Sequence, residues 1–243
     1  MTQFGKTVLS PVTQVRNVTS AGLFALAQGN VGRGANVFES FNMVMGNIRK
    51  KSSAEQLKEY AKLQRLGVIG NQAQLKEIDR LINEGYGVTR DADEVIAGIR
   101  VGKKAGNKFT QSSAGQFLNK KLDVAREYYQ GGDDLWKIYN FTFEKSKILS
   151  AFGTELNATK ALRASKQITE TQTLDDYAAN IVRNTVPNYD RVPAFVKGLR
   201  KLPLGNFIAF PAEILRTSAN TLKQSLDEIA SGNARVREIG MRR

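Results

Sequence analysis

The sequence predicts an all-α protein, elongated and assembled from about nine amphipathic helices with no significant sheet. Three observations carry that reading. Apolar residues recur at helical spacing along nearly every segment. Residues that start and stop helices fall at the ends of those segments. No alternating run of β-branched residues bounded by turn dipeptides is visible, nor any internal repeat. The expected organisation is a helical region over 1–101, a flexible basic loop over 102–115, and a second helical region over 116–243 with a proline-rich corner at 187–211.

Ser10-Pro11 starts the first helix, Ser as cap and Pro at the first helical position. Val12, Val15, Val18, Leu23 and Leu26 form its stripe, and the glycine-rich run Gly29–Gly34 ends it. A second helix spans about 35–49. Val37, Phe38, Phe41, Val44, Met45 and Ile48 make it apolar around much of its circumference, which predicts a central position. Ser52 and Glu55 read as a capping box for a helix carrying Leu57, Tyr60, Leu63 and Leu66, closed by Gly67. Asn71 caps a partner with Leu75, Ile78, Leu81 and Ile82. A weak, glycine-broken helix with Val95, Ile96, Ile99 and Val101 follows Asp91 or Asp93.

Beyond the loop, a helix over 116–130 is expected to break at Gly131-Gly132 and restart at Asp133-Asp134. The restarted helix holds Trp136, Tyr139, Phe141, Phe143, Ile148 and Phe152. A weaker helix covers 154–166, and Thr173-x-x-Asp176 caps another with Leu174, Tyr177, Ile181 and Val182. Pro187, Pro193, Pro203 and Pro211 then predict short pieces joined at rigid corners. After Pro211 a long helix runs to about residue 231, with Ile214, Leu215, Ser218, Leu222, Leu226 and Ile229 on one side.

The 243 residues are 41% hydrophobic, enough for a packed core. There is neither Cys nor His. That excludes disulfides, Cys/His zinc sites and Ser-His-Asp or Cys-His catalysis. With 36 Lys and Arg against 23 Asp and Glu, the net charge of +13 favours an anionic partner. The longest uncharged run lies between Arg16 and Arg33 and is too short and too polar to span a bilayer. The N-terminus lacks the pattern of a secretory signal.

Arg100, Lys103, Lys104, Lys108, Lys120 and Lys121 form a basic run without an acid. They are the candidate contacts for double-stranded DNA, non-specific because no base-reading motif accompanies them. Gly102 to Lys108 misses the phosphate-loop pattern: its spacer is one residue short and no strand precedes it. Further basic clusters are Arg49-Lys50-Lys51, Lys197 with Arg200-Lys201, and Arg235, Arg237, Arg242 and Arg243. Glu39-Ser40 lacks the glycine-rich turn that a sugar-cleaving acid needs beside it. Of the acidic pairs, Asp93-Glu94, Asp133-Asp134 and Asp175-Asp176 read as helix starts, and Asp227-Glu228 as a solvated face. No catalytic residue, metal or cofactor is expected. The stretch from Leu202 to Pro211 is apolar and uncharged, with Pro203, Gly205, Asn206, Phe207, Ile208, Phe210 and Pro211 as a candidate patch. Core packing at a tight corner is its favoured reading; the other is insertion into a lipid surface or partner.

Three blocks have a familiar texture. They are Ser10-Pro-Val-Thr-Gln-Val-Arg-Asn-Val-Thr-Ser20 with Leu23–Ala27, then Gly132-Asp-Asp-Leu-Trp-Lys-Ile-Tyr-Asn-Phe141 with Glu144 and Lys145, then Val186–Pro193 and Leu199–Asn220. Their order resembles the internal virion (DNA-ejection) proteins of short-tailed bacteriophages and the large polyvalent phage proteins. The resemblance implies a structural protein inside the capsid, ejected ahead of the genome to help build a conduit across the host envelope. It implies partners among the portal or core proteins, self-association, and contact with DNA or host membrane. Some relatives carry a transglycosylase or polymerase region, but neither motif stands in this sequence. The alternative is an accessory nucleic-acid-binding region of a large virion enzyme. The helix-forming C-terminal stretch also suggests one module of a longer polypeptide.

Overall fold

The computed structural model describes residues 19, 22, 23, 25, 26, 28–30, 32, 34–70, 113–187 and 205–243, with 113–126, 128, 129 and 205–213 described by backbone alone. Seven helices lie among them: α1 (Val37–Ile48), α2 (Ala54–Arg65), α3 (Ser113–Phe152), α4 (Glu155–Ala164), α5 (Leu174–Thr185), α6 (Gly205–Ile229) and α7 (Ala234–Arg242). The described residues contain no strand and are all-α. The chain divides into two compact units, Met1–Val18 with Gln72–Gly132, and Thr19–Asn71 with Asp133–Arg243. The cores, ion pairs and cleft described below belong to the second. The helices expected between 71 and 101 lie outside the described residues.

Helix α5 organises that unit. The Thr173 hydroxyl accepts from the Asp176 N–H at 3.3 Å, and the Asp176 carboxylate accepts from the Thr173 N–H at 2.9 Å. This capping box satisfies two groups that the first turn leaves unpaired. Downstream, apolar residues face two directions. Ala178, Ala179 and Val182 join Val44, Tyr60, Leu63, Leu135, Ile138 and Phe141 in a core shared with α1, α2 and α3. Leu174, Tyr177 and Ile181 join Ile148, Ala158, Leu162, Val236 and Ile239 in a second core with α3, α4 and α7. Each large side chain so buried contributes roughly 1.5–3 kcal/mol. Thr154 caps α4, accepting from the Asn157 N–H at 3.2 Å.

Four expectations need correction. The capping box of α2 is one residue later than read: Ser53 pairs with Gln56, not Ser52 with Glu55. Both registers place a hydroxyl ahead of a helix and differ only in where the chain turns.

Gly131-Gly132 does not break the helix, and Asp133-Asp134 is no cap, because α3 runs continuously through all four. Each glycine costs about 1 kcal/mol relative to alanine. Burial of Leu135, Ile138, Tyr139 and Phe141 just beyond offsets that. The acids have partners within the fold instead. Lys137 Nζ lies 2.5 Å from Asp133, and the Tyr60 hydroxyl donates to Asp134 at 2.9 Å.

Helix α1 is not central. Phe38 is 77% exposed, Phe41 and Val37 are also exposed, and only Ser40 and Val44 are buried. An apolar circumference cannot decide which side meets the core; the Ser40 hydroxyl can be buried because it donates to the Asn36 carbonyl of its own helix at 3.2 Å.

Helix α6 begins at Gly205, before Pro211 rather than after it, so Asn206 lies within the helix and does not precede it as a cap. Leu215, Ser218, Leu222 and Leu226 share one side, as read, and that side faces outward. Leu215, Leu222 and Leu226 are 71%, 62% and 55% exposed, while Thr217 and Glu228 are buried. Hydrogen bonds set this orientation. Asn220 and Arg216 donate to the Asn184 carbonyl at the end of α5, at 3.0 and 3.1 Å.

Helix α7 folds back on α6 after Asn233, whose side chain accepts from the N–H groups of Arg235 and Val236. Gly240 makes the approach possible. A Cβ there would stand 2.7 Å from the Ser225 carbonyl. The Ser225 hydroxyl donates to the Gly240 carbonyl at 2.6 Å.

Residues 28–30 are pinned to distant parts of the chain. The Gln28 side chain donates to the Thr185 carbonyl and accepts from its hydroxyl, across 157 residues of sequence. Tyr139 donates to the Asn30 carbonyl at 3.0 Å.

Candidate functional site: a buried ion cluster beneath a basic cleft

Three helices send charged groups to one buried point. Glu144 comes from α3 and Glu228 from α6, and Arg243 directly follows α7. The guanidinium donates twice to Glu144, both at 2.8 Å, and twice to Glu228, at 2.8 and 3.0 Å. Its planar fork suits two carboxylates at once. Tyr177 of α5 donates to Glu228 at 2.6 Å and Gln224 does so at 3.0 Å. Lys147, one turn along α3, donates to Glu144 at 3.2 Å and to the Gln28 carbonyl at 3.3 Å.

Two carboxylates and two cations balance. Burial alone would raise the Glu144 carboxyl, but Arg243 and Lys147 outweigh it and hold it down to about 2. Burial pulls the Lys147 ammonium below its ordinary value, against the attraction of Glu144. Burial and the neighbouring Glu228 push the Tyr177 hydroxyl well up. Glu144 therefore stays ionised and serves as an anchor, not a proton donor.

Above this cluster a cleft of about 480 Å³ opens between α3 and α7. Ser146, Lys147 and Ser150 of α3 line one side, and Arg235, Glu238 and Arg242 of α7 the other. Phe143, Ala151 and Ile239 supply apolar wall, and Gly29 and Gly34 close one end. Arg235 donates to the Ala151 carbonyl and lies 5.7 Å from the centre of the Phe152 ring. Arg242 pairs with Glu238. Gly29 sits at φ +69°, and a Cβ on it would lie 2.6 Å from the Arg242 carbonyl, so no other residue lets α7 end there undisturbed.

A second buried carboxyl, Asp134, lies apart in the core with α2. Burial, then the adjacent Asp133, push it up to about 6, against the pull of Lys137 and the Tyr60 hydrogen bond. Among the described residues, no three Asp or Glu side chains converge to hold a metal ion.

The expected site residues stand elsewhere. Arg100, Lys103, Lys104, Lys108 and Pro203 lie outside the described residues. Lys120 and Lys121 are on the backbone of α3, and Gly205, Asn206, Phe207, Ile208, Phe210 and Pro211 on that of α6; their side chains lie outside the description. The pair Asp227-Glu228 splits: Asp227 is exposed, but Glu228 is fully buried, which corrects its reading as a solvated face. Sequence reasoning flagged Arg235, Arg242 and Arg243 only as a basic cluster. It missed that Arg243 is an internal ligand of two acids. The available signal was a Glu at 144 directly after the aromatic run Phe141 to Phe143. The chain matches no family model, no curated protein and no solved structure.

Proposed function

We propose that this chain is a structural, non-catalytic module of an internal virion protein of short-tailed bacteriophages, taking part in genome ejection and conduit formation across the host envelope. The observation that carries this reading is the outward face of α6. Leu215, Leu222 and Leu226 are exposed there beside Ala219, while the inward face is occupied by hydrogen bonds to α5 and α7. An apolar stripe on a helix favours contact with another helix.

The stripe is self-complementary. In an antiparallel pair centred between Asn220 and Thr221, Leu215 of one copy meets Leu226 of the other, and Leu222 meets Ala219. Large side chains then oppose large at the ends and small in the middle. Further copies of the chain are thus the first partners, with portal or core proteins beside them. The three sequence blocks support the virion class, and the net charge of +13 suits a place beside packaged DNA. Location in the virion interior, and in the host envelope after ejection, follows from the same reading. Among the described residues no helix is long and apolar enough to cross a membrane.

Mass spectrometry of purified particles before and after triggered ejection tests the proposal. Peptides of this chain should be present in full particles and depleted from emptied ones. Their absence from full particles would sink it. The alternative, an accessory nucleic-acid-binding region of a virion enzyme, draws support from the basic cleft; its mark would be particles that retain the chain after ejection.

A further inference from the structure

We propose that the cleft between α3 and α7 binds a phosphate group of a nucleic-acid strand, with Lys147, Arg235 and Arg242 as cationic contacts and Ser146 and Ser150 as hydroxyl donors. This does not depend on the virion reading, because it rests on the cleft alone. Its volume of about 480 Å³ falls in the range of ligand sites. Among the described residues three cations line it; Lys147 is balanced by Glu144 beneath and Arg242 faces Glu238, which leaves the charge of Arg235 in excess.

Two of the cations are already placed. Lys147 is fixed by Glu144 and the Gln28 carbonyl, and Arg235 by the Ala151 carbonyl and the Phe152 ring, while Arg242 pairs with Glu238 at the exposed rim, where a phosphate would compete with that carboxylate. Side chains ordered before binding lose little entropy on binding. Ser146 and Ser150 are one helical turn apart and so share a face of α3. The apolar wall lowers the local dielectric beside Lys147, whose side chain is 15% exposed, and strengthens its charge contact.

A strand is favoured over a free ion because the cleft is larger than one phosphate needs and its rim is exposed. Ser150, Arg235 and Arg242 all reach solvent, so a group projecting from a polymer can enter while the polymer stays outside. Among the described residues no base-reading arrangement lines the cleft, so binding should be independent of sequence.

The test is fluorescence anisotropy of the full chain with a short labelled duplex and a short labelled single strand, over a salt series. Arg235→Gln with Arg242→Gln should weaken binding to at least one probe by tenfold or more and reduce the logarithmic salt slope by about 2. Arg237→Gln with Lys223→Gln removes the same charge from residues that do not line the cleft, and should change affinity less than twofold. Glu238→Gln should tighten binding, a gain that loss of folding cannot mimic. Inorganic phosphate should compete only weakly beyond its ionic-strength effect. Equal losses in the two double variants would overturn the proposal, as would no effect of Glu238→Gln. Full competition by inorganic phosphate would overturn the strand assignment. So would cleft-dependent binding to phosphatidylglycerol vesicles without binding to either strand.

Discussion

Helices α5 and α6 lie against each other and obey different rules. Helix α5 turns apolar residues into two cores and puts most polar ones outside, with Thr185 at its end buried against Gln28. Helix α6 buries Thr217 and Glu228, turns Gln224 and Ser225 toward its neighbours, and leaves three leucines in solvent. For α5, area removed from water decides the orientation. For α6, the unmet carbonyls at the end of α5 and the guanidinium of Arg243 decide it. A buried polar group must be satisfied, and that demand can outweigh the exposure of a few leucines.

The sharpest way to break α6's side of the comparison is Arg243→Ala. It strands Glu144 and Glu228 in the interior and should cost about 3–5 kcal/mol, read as a fall in the urea midpoint. A loss under 1 kcal/mol would show that water reaches both carboxylates. On α5's side, Ile181→Ala should cost roughly 2–4 kcal/mol by the same measurement, as expected for a fully buried aliphatic residue. The polar interior should thus prove at least as fragile as the apolar one.

A third prediction uses pH to separate the two buried carboxyls. Asp134's pKa is raised, so its ionised form opposes folding above about pH 6, and that penalty is relieved as pH falls toward 4. Glu144's pKa is depressed, so its contribution is complete above about 4.5 and disappears as pH falls toward 2. Stability should therefore rise by about 1 kcal/mol between pH 7 and 5, then fall below pH 4. Asp134→Asn should abolish the rise and keep the fall. If the wild type loses stability steadily from pH 7 downward, Asp134 is not the buried carboxyl described.

The smallest stability effect belongs to the outward leucines. Leu222→Ser should move the midpoint by less than about 0.5 kcal/mol. In sedimentation velocity it should nevertheless shift a self-associated species to monomer. A wild-type chain that is monomeric at all concentrations would remove the antiparallel contact from the proposal.

These contrasts also explain what was legible in the sequence. Local signals with one solution read correctly. Thr173 with Asp176, and Gly67 after α2, at φ +68°, each mark an end that backbone chemistry dictates. The buried Leu174, Tyr177, Ile181 and Val182 of α5 followed from periodicity, while Ala178, Ala179 and Thr185 did not. Decisions that depend on a distant partner did not. Whether Gly131-Gly132 breaks a helix depends on the packing of Leu135 to Phe141, and which side of α6 faces inward depends on Asn184 and Arg243. The ion cluster was the least visible feature. Its members, Glu144, Glu228 and Arg243, are far apart in sequence, and each alone resembles a surface charge.

The pinning of residues 28–30 has a kinetic consequence. Gln28 can exchange hydrogen bonds with Thr185, and Asn30 with Tyr139 and Asn140, only once α3 and α5 are in place. Contacts that close loops of 157 and 110 residues carry a large entropic cost before they give any return. The segment around Gly29 should therefore dock after α3 and α5 have packed. Because the Gly29 turn also closes one end of the basic cleft, the cleft should take its final shape only with that docking.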